Sequence, residues 1–130
     1  MELLGRARAL ARTAVFAEVP APALVALAAR VGAREVAAGA TVATRKDGSD
    51  VVLVVATGRL RDDAGDHDVG AVLGVDGALV GAAPRTLTAI TAAAVVEIAV
   101  DDFLDVLAEH GAATTALARQ LASRVRAGAP

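Results

Sequence analysis

The chain has 130 residues, of which 55% are hydrophobic but only 2% aromatic, with no cysteine and a formal net charge of −2. That length suits one compact domain with a real core. The composition removes stacking platforms for bases, a basic footprint for nucleic acid, disulfides, thiolate nucleophiles and Cys-ligated zinc.

From Glu2 to Ala14, Leu3, Leu4, Ala7, Leu10 and Ala11 recur at helical spacing with Arg6, Arg8 and Arg12 between them, which predicts an amphipathic helix. Those arginines also interrupt any secretory leader. Pro20 and Pro22 then mark the start of a second helix, striped by Leu24, Leu27 and Ala28 and stopped by Gly32. After Gly32 the hydrophobic period shortens. "AREV", "TVATR", "VVLVVA", "GRLR", "VGAVLG", "TLTAIT" and "VVEIAV" are β-prone runs separated by "AAGA", "KDGSD", "DDAGDHD" and Gly/Pro stretches, so seven or eight short strands are predicted. Val51 to Val55, apolar at every position, should be a central strand. Val96, Ile98 and Val100 alternate with Val95, Glu97 and Ala99 in the last of the runs.

Helical spacing returns at the C-terminal end. Asp101 or Asp102 is placed to cap "FLDVLAEH", Gly111 to end it, and Thr114 or Thr115 to cap a last helix. In that helix Leu117, Leu121 and Val125 form a stripe flanked by the small Ala118 and Ala122. Such a stripe needs a cover, either the chain's own β-roll or its twin in a symmetric dimer. The longest charge-free stretches, such as Thr86 to Val96, fall short of the roughly 18 apolar residues of a membrane span. The chain therefore reads as soluble and cytoplasmic, binding neither a membrane nor, by itself, nucleic acid. Its divisions are N-terminal helices over 1–32, a β-roll over 33–100 and C-terminal helices over 101–127 of one domain spanning 1–130.

Two groups of polar residues invite chemistry. "RDDAGDHD" gathers Asp62, Asp63, Asp66, His67 and Asp68, but their spacing does not match a calcium loop, and the chain's only histidines are His67 and His110, too few for a metal centre inside a roll. An acidic hairpin tip is the better reading, with no metal expected. Ser49 and Ser123 lack His and acid partners for a nucleophile triad, so no enzyme is expected. The second group is "GALVGAAPRTLTAITA", where Arg85 follows Pro84 and heads a β-prone run. Its guanidinium is either an anion clamp or the polar end of a strand. Asp76, in "GVDG", reads as a turn residue.

The segment from Leu10 to Arg61, with Val15-Phe16, the helix from Pro20 to Val31, the Ala38-Gly39 and Asp47-Gly48 turns and the strand Val51 to Ala56 before Gly58, resembles the opening of the cyclic-nucleotide-binding domain family. "TAITAAAVVEIAVDDFLDVLAEH" resembles its last strands and C-terminal helices, with Phe103 at the Asp-x-Phe position. The resemblance implies a mainly β fold, a double-stranded β-helix of the jelly-roll or cupin-like kind, with helices at both ends. It also implies a phosphate-binding cassette: a Gly-Glu pair, a short helix, then Pro-Arg leading into a strand. Backbone N–H groups and the Arg fork would hold the cyclic phosphate while the Glu accepts from the ribose hydroxyl.

Here the cassette departs from that pattern. Alignment on Pro84-Arg85 sets Asp76 at the Glu position with Val75 in place of Gly, whereas alignment on the following strand sets Gly81-Ala82 there and leaves no ribose-binding carboxylate. Two functions follow. One is a non-catalytic regulatory or assembly module with a silent pocket, acting through a protein partner or as a homodimer through the C-terminal helix, with no cofactor. The other is a working sensor of cyclic AMP or cyclic GMP that binds the cyclic phosphate through Arg85. Regulators of transcription in the family carry a helix-turn-helix beyond the long helix, so the output of this segment is expected to pass through a partner chain or a further portion.

Overall fold

The computed structural model describes the backbone of residues 1–128 and the side chains of residues 1–123. Two helices open the chain, α1 (Leu3–Ala11) and α2 (Ala21–Ala28). Strands β1 (Gly32–Val36), β2 (Thr41–Ala43), β3 (Arg45–Lys46), β4 (Ser49–Thr57), β5 (Leu60–Asp62), β6 (Gly65–His67) and β7 (Val72–Leu73) follow. A short helix α3 (Val75–Val80) interrupts them before β8 (Thr86–Ala89) and β9 (Ala93–Ala99), and α4 (Val100–Glu109) and α5 (Gly111–Gly128) close the described chain.

The strands form two antiparallel sheets. One runs β1-β9-β4-β3, with β7 also pairing β4, and the other runs β2-β8-β5-β6. Together they make the mainly β roll with flanking helices that the sequence predicts. The chain crosses between sheets at Thr44, whose N–H donates to Arg85 O (3.0 Å) while its own carbonyl accepts from Val51 N (2.9 Å). That crossing divides "TVATR" into two short strands. Another strand, β6, arises inside "DDAGDHD", which the sequence reading treated as a separator. Gly65 adopts φ +126 there and Arg61 bonds Asp66 at 2.6 Å across the pair, so the acidic tip closes as a hairpin. Nine strands result among the described residues rather than seven or eight.

β4 is the central strand because both of its faces are apolar. Val52, Val54 and Ala56 face a cluster shared with the helices, whereas Val51, Leu53 and Val55 face the roll interior with Leu60, Leu73, Leu87 and Val95. In the helical cluster Phe16 and Phe103 are fully buried and meet edge to face, 6.0 Å apart at 86°. Thr13 sets up that contact: its hydroxyl donates to Leu10 O (2.8 Å) and accepts from Phe16 N (3.1 Å), which turns the chain out of α1.

Several local expectations shift. The buried stripe of α1 is Ala7, Ala9 and Leu10, with Leu3 and Leu4 exposed at the helix start. Asp101 and Asp102 lie inside the first turn of α4, after Ala99, and favour the helix dipole without capping it by a side-chain bond. Gly111 begins α5 instead of ending α4, and Thr114 bonds back to Leu107 O at 2.7 Å. Ala113 and Leu117 are buried in the cluster of Phe16 and Phe103, with Leu121 packed partly against it. The predicted stripe is thus covered, at Leu117, by its own chain; the side chain of Val125 lies outside the described residues. Among the described residues no helix is long and apolar enough to cross a membrane.

Candidate functional site

The site lies at one end of the small sheet, where strand alternation turns polar side chains toward the roll interior. On β8, Leu87 and Ala89 are buried, so Arg85, two residues before Leu87, projects to the same side. Thr44 stands in the same relation to buried Val42, and its hydroxyl accepts the N–H of Arg85 at 2.8 Å. On β5, Leu60 points inward and Asp62 follows it two positions on, while His67 lies directly opposite Leu60 across the hairpin. Asp66 and Asp68 alternate to the outer face, where Arg61 and Arg59 hold them at 2.6 Å each.

A single guanidinium draws these elements together. Arg85 Nη2 donates to Asp76 Oδ2 at 3.2 Å, and Arg85 Nη1 lies 3.6 Å from Asp62 Oδ2. Asp62 is fixed from behind: its Oδ1 accepts from His67 Nε2 and from Ala64 N, each at 2.9 Å. Its side chain is only 7% exposed, and Oδ2 accepts no hydrogen bond among the described residues, leaving the ionic contact with Arg85. Burial, the largest single influence, pushes the Asp62 carboxyl up; the His67 and Ala64 hydrogen bonds and the fields of His67 and Arg85 together outweigh it and hold the group below the ordinary carboxylate range. Asp62 is therefore a settled anion at neutral pH.

Asp76 reaches Arg85 from α3. It is not a turn residue but sits in the first turn of α3. Gly74 makes that entry possible, since it adopts φ +87 and a Cβ there would stand 2.7 Å from Val51 O. Of the two sequence alignments, the one on Pro84-Arg85 fits this geometry, because a short helix does separate Asp76 from Arg85. Gly81, at φ +68, closes α3, and Ala82 follows it, so the pair comes after the short helix where a Gly-Glu pair would precede it. The cleft beside Arg85 encloses about 470 Å³ between Asp62, Asp63, Ala64, Pro84, Arg85 and Thr86. Two carboxylates, Asp62 and Asp63, and one guanidinium line it, and a third carboxylate, Asp76, pairs with that guanidinium. A larger groove of about 830 Å³ lies elsewhere, between residues 14–18 and α5. Among the described residues no three His, Asp or Glu side chains are placed to hold a metal ion.

Sequence reasoning singled out Arg85 and Asp76 but not Asp62 or Thr44 as members of the site. Alternation carried the missing signal: counting by two from Leu60 and Val42 turns Asp62 and Thr44 to the inner face.

A double-stranded β-roll with helices at both ends is the fold that the sequence resemblance implies. Solved structures bear this out. The sensor domain of the transcriptional regulator DNR from Pseudomonas aeruginosa matches with a TM-score of 0.74 at 14% identity, over 95% of this chain and 90% of that one. The catabolite activator protein of Thermus thermophilus matches with a TM-score of 0.68 at 17% identity, over 88% and 59%. The regulatory subunit of a cAMP-independent protein kinase A from Trypanosoma brucei matches at 0.70 and 16%, over 91% of this chain but 48% of the subunit. No family model and no curated protein matches the chain. At these identities the likeness is one of fold, and the ligand question returns to the cleft.

Proposed function

We propose that this chain is a non-catalytic regulatory or assembly module whose cleft does not bind cyclic nucleotides. The supporting observation is the state of Arg85: the side chain that would clamp a cyclic phosphate is already paired with Asp76 at 3.2 Å and faces Asp62 at 3.6 Å. An entering phosphate has to displace a carboxylate from Arg85 and then lie beside it, and like charges at such distances repel by several kcal/mol at an effective dielectric of about 20. With wild-type protein, millimolar cyclic AMP or cyclic GMP should leave the melting temperature unchanged. A ligand at 100 times its Kd adds about 2.7 kcal/mol, so binding of any useful strength is visible.

The second reading, a working sensor, draws on Asp76, which stands at the start of the short helix nine positions before Arg85, where the resemblance sets a ribose-binding acid. A rise in melting temperature with either nucleotide, abolished by Arg85→Ala, establishes it instead.

For assembly, the groove beside α5 supports a homodimer better than the stripe of Leu117, which is covered. Glu18 and Arg119 line opposite walls of the groove between residues 14–18 and α5. Neither makes an ion pair among the described residues. A two-fold contact would set Glu18 of each copy against Arg119 of the other. Sedimentation should show a dimer that Arg119→Glu weakens and that Glu18→Arg with Arg119→Glu restores; a wild-type monomer at micromolar concentration overturns this half of the proposal.

A further inference from the structure

We infer that Asp76 is an anion-excluding side chain rather than a ribose acceptor, and that Arg85 heads a latent oxyanion site which Asp76 keeps closed. The inference rests on the reading of the wild-type cleft as one that rejects cyclic nucleotides, and it names the residue responsible.

The two carboxylates on Arg85 are not equivalent. Asp62 is 7% exposed and anchored by His67 and Ala64, so it forms the fixed floor of the cleft and orients Nη1 at 3.6 Å. Asp76 is 39% exposed, its one side-chain hydrogen bond among the described residues runs to Arg85, and it occupies the closer position on Nη2 at 3.2 Å. It also rides on a six-residue helix bounded by the positive-φ glycines Gly74 and Gly81. Asp76 is therefore the more exposed and less anchored of the two carboxylates on Arg85, and it uses a donor that a phosphate oxygen would take. Arg85 is otherwise ready. Its backbone is held by Thr44 at 2.8 Å and its side chain is 44% exposed; of the other residues lining the cleft, Ala64, Pro84 and Thr86 are uncharged and Asp63 carries a carboxylate.

The two roles of Asp76 predict opposite results for one substitution. If Asp76 accepts from a ribose hydroxyl, Asp76→Asn weakens nucleotide binding. If it excludes anions, Asp76→Asn keeps the shape and removes the charge, and oxyanion binding appears. The experiment is titration calorimetry at low ionic strength with inorganic phosphate and, separately, cyclic AMP, on wild type, Asp76→Asn, Asp76→Ser and Asp76→Asn with Arg85→Ala.

The expected result is at least about tenfold tighter binding of phosphate, of cyclic AMP or of both by the Asp76 variants, where tenfold corresponds to about 1.4 kcal/mol. The gain should vanish with Arg85→Ala and shrink as salt rises. A response to phosphate alone marks a plain oxyanion site, and one to cyclic AMP as well marks a cleft that also seats the nucleoside. If neither variant binds either probe more tightly than wild type, the inference fails while the reading of a closed cleft stands. If wild type binds cyclic AMP and the variants bind it less well, both fail together. Asp76→Ser carries the test should the Asn variant not fold.

Discussion

Replacing Lys46 by Met should destabilise the fold through a carboxylate on the neighbouring wall of the roll. Glu97 lies on β9 between Gly32 of β1 and Leu53 of β4, and its side chain is only 6% exposed. Its Oε1 accepts from Lys46 Nζ at 3.2 Å, while Oε2 is buried with no hydrogen bond among the described residues. Lys46 is thus the partner that makes a charge tolerable there. Breaking a fully buried pair costs about 3–5 kcal/mol by stranding the remaining charge. Lys46 is itself 53% exposed, however, so solvent screens its half of the interaction, and about 1–2 kcal/mol is the expected loss. Urea denaturation of wild type, Lys46→Met, Glu97→Leu and the double variant measures it as a cycle. The double variant should recover most of the loss, since Leu beside Leu53 leaves no charge to strand. The reasoning is refuted if Lys46→Met lies within about 0.5 kcal/mol of wild type, the range of an ordinary surface change, or if the double variant is no more stable than Lys46→Met.

Phe103→Ala should cost about 3–5 kcal/mol in the same assay, because a fully buried ring and its edge contact with Phe16 are both removed. Acid should weaken the protein through Asp62. Its folded-state pKa lies below the unfolded value, so its stabilisation is fully present above about pH 4 and is lost as pH falls through the lower folded value; Asp62→Asn should flatten that part of the stability profile measured by urea melts. Leu117→Glu should unfold the chain, because Leu117 is buried in the helical cluster, whereas Leu121→Glu at the half-buried neighbouring position should leave it folded; circular dichroism separates the two outcomes.

Much of the architecture was legible because hydrophobic period is a local signal. The runs of Val and Leu around residues 51–55 predict a strand buried on both faces, and β4 is that strand. The helices flanking the roll are legible for the same reason, down to the burial of Phe16 and Phe103 where they meet it. Boundaries were less legible, as tertiary partners decide them. Gly111 looks like a stop, yet α5 begins there, because the bond from Thr114 to Leu107 folds one helix directly against the other. The cleft was half legible. Pro84-Arg85 and Asp76 stand out in sequence, but whether they meet depends on α3, which six residues with two glycines at its borders do not announce. Asp62 was hidden in an acidic run whose members diverge, two outward to arginines and one inward to the site.

Core and cleft are built from separate sets of residues. Leu60, Leu87 and Val42 belong to the interior cluster, while Asp62, Arg85 and Thr44 follow or precede them by two positions and lie beyond it. The roll is stabilised by the first set, and the charge of its open end is written in the second. Substitutions at the open end therefore change what the cleft attracts without removing the apolar contacts that hold the sheets together. Likeness of fold consequently says nothing about the sign of charge that the cleft admits. Here Asp62 and Asp63 line the cleft with Arg85, Asp76 pairs with that arginine, and binding measurements on the Asp76 and Arg85 variants read the resulting charge most directly.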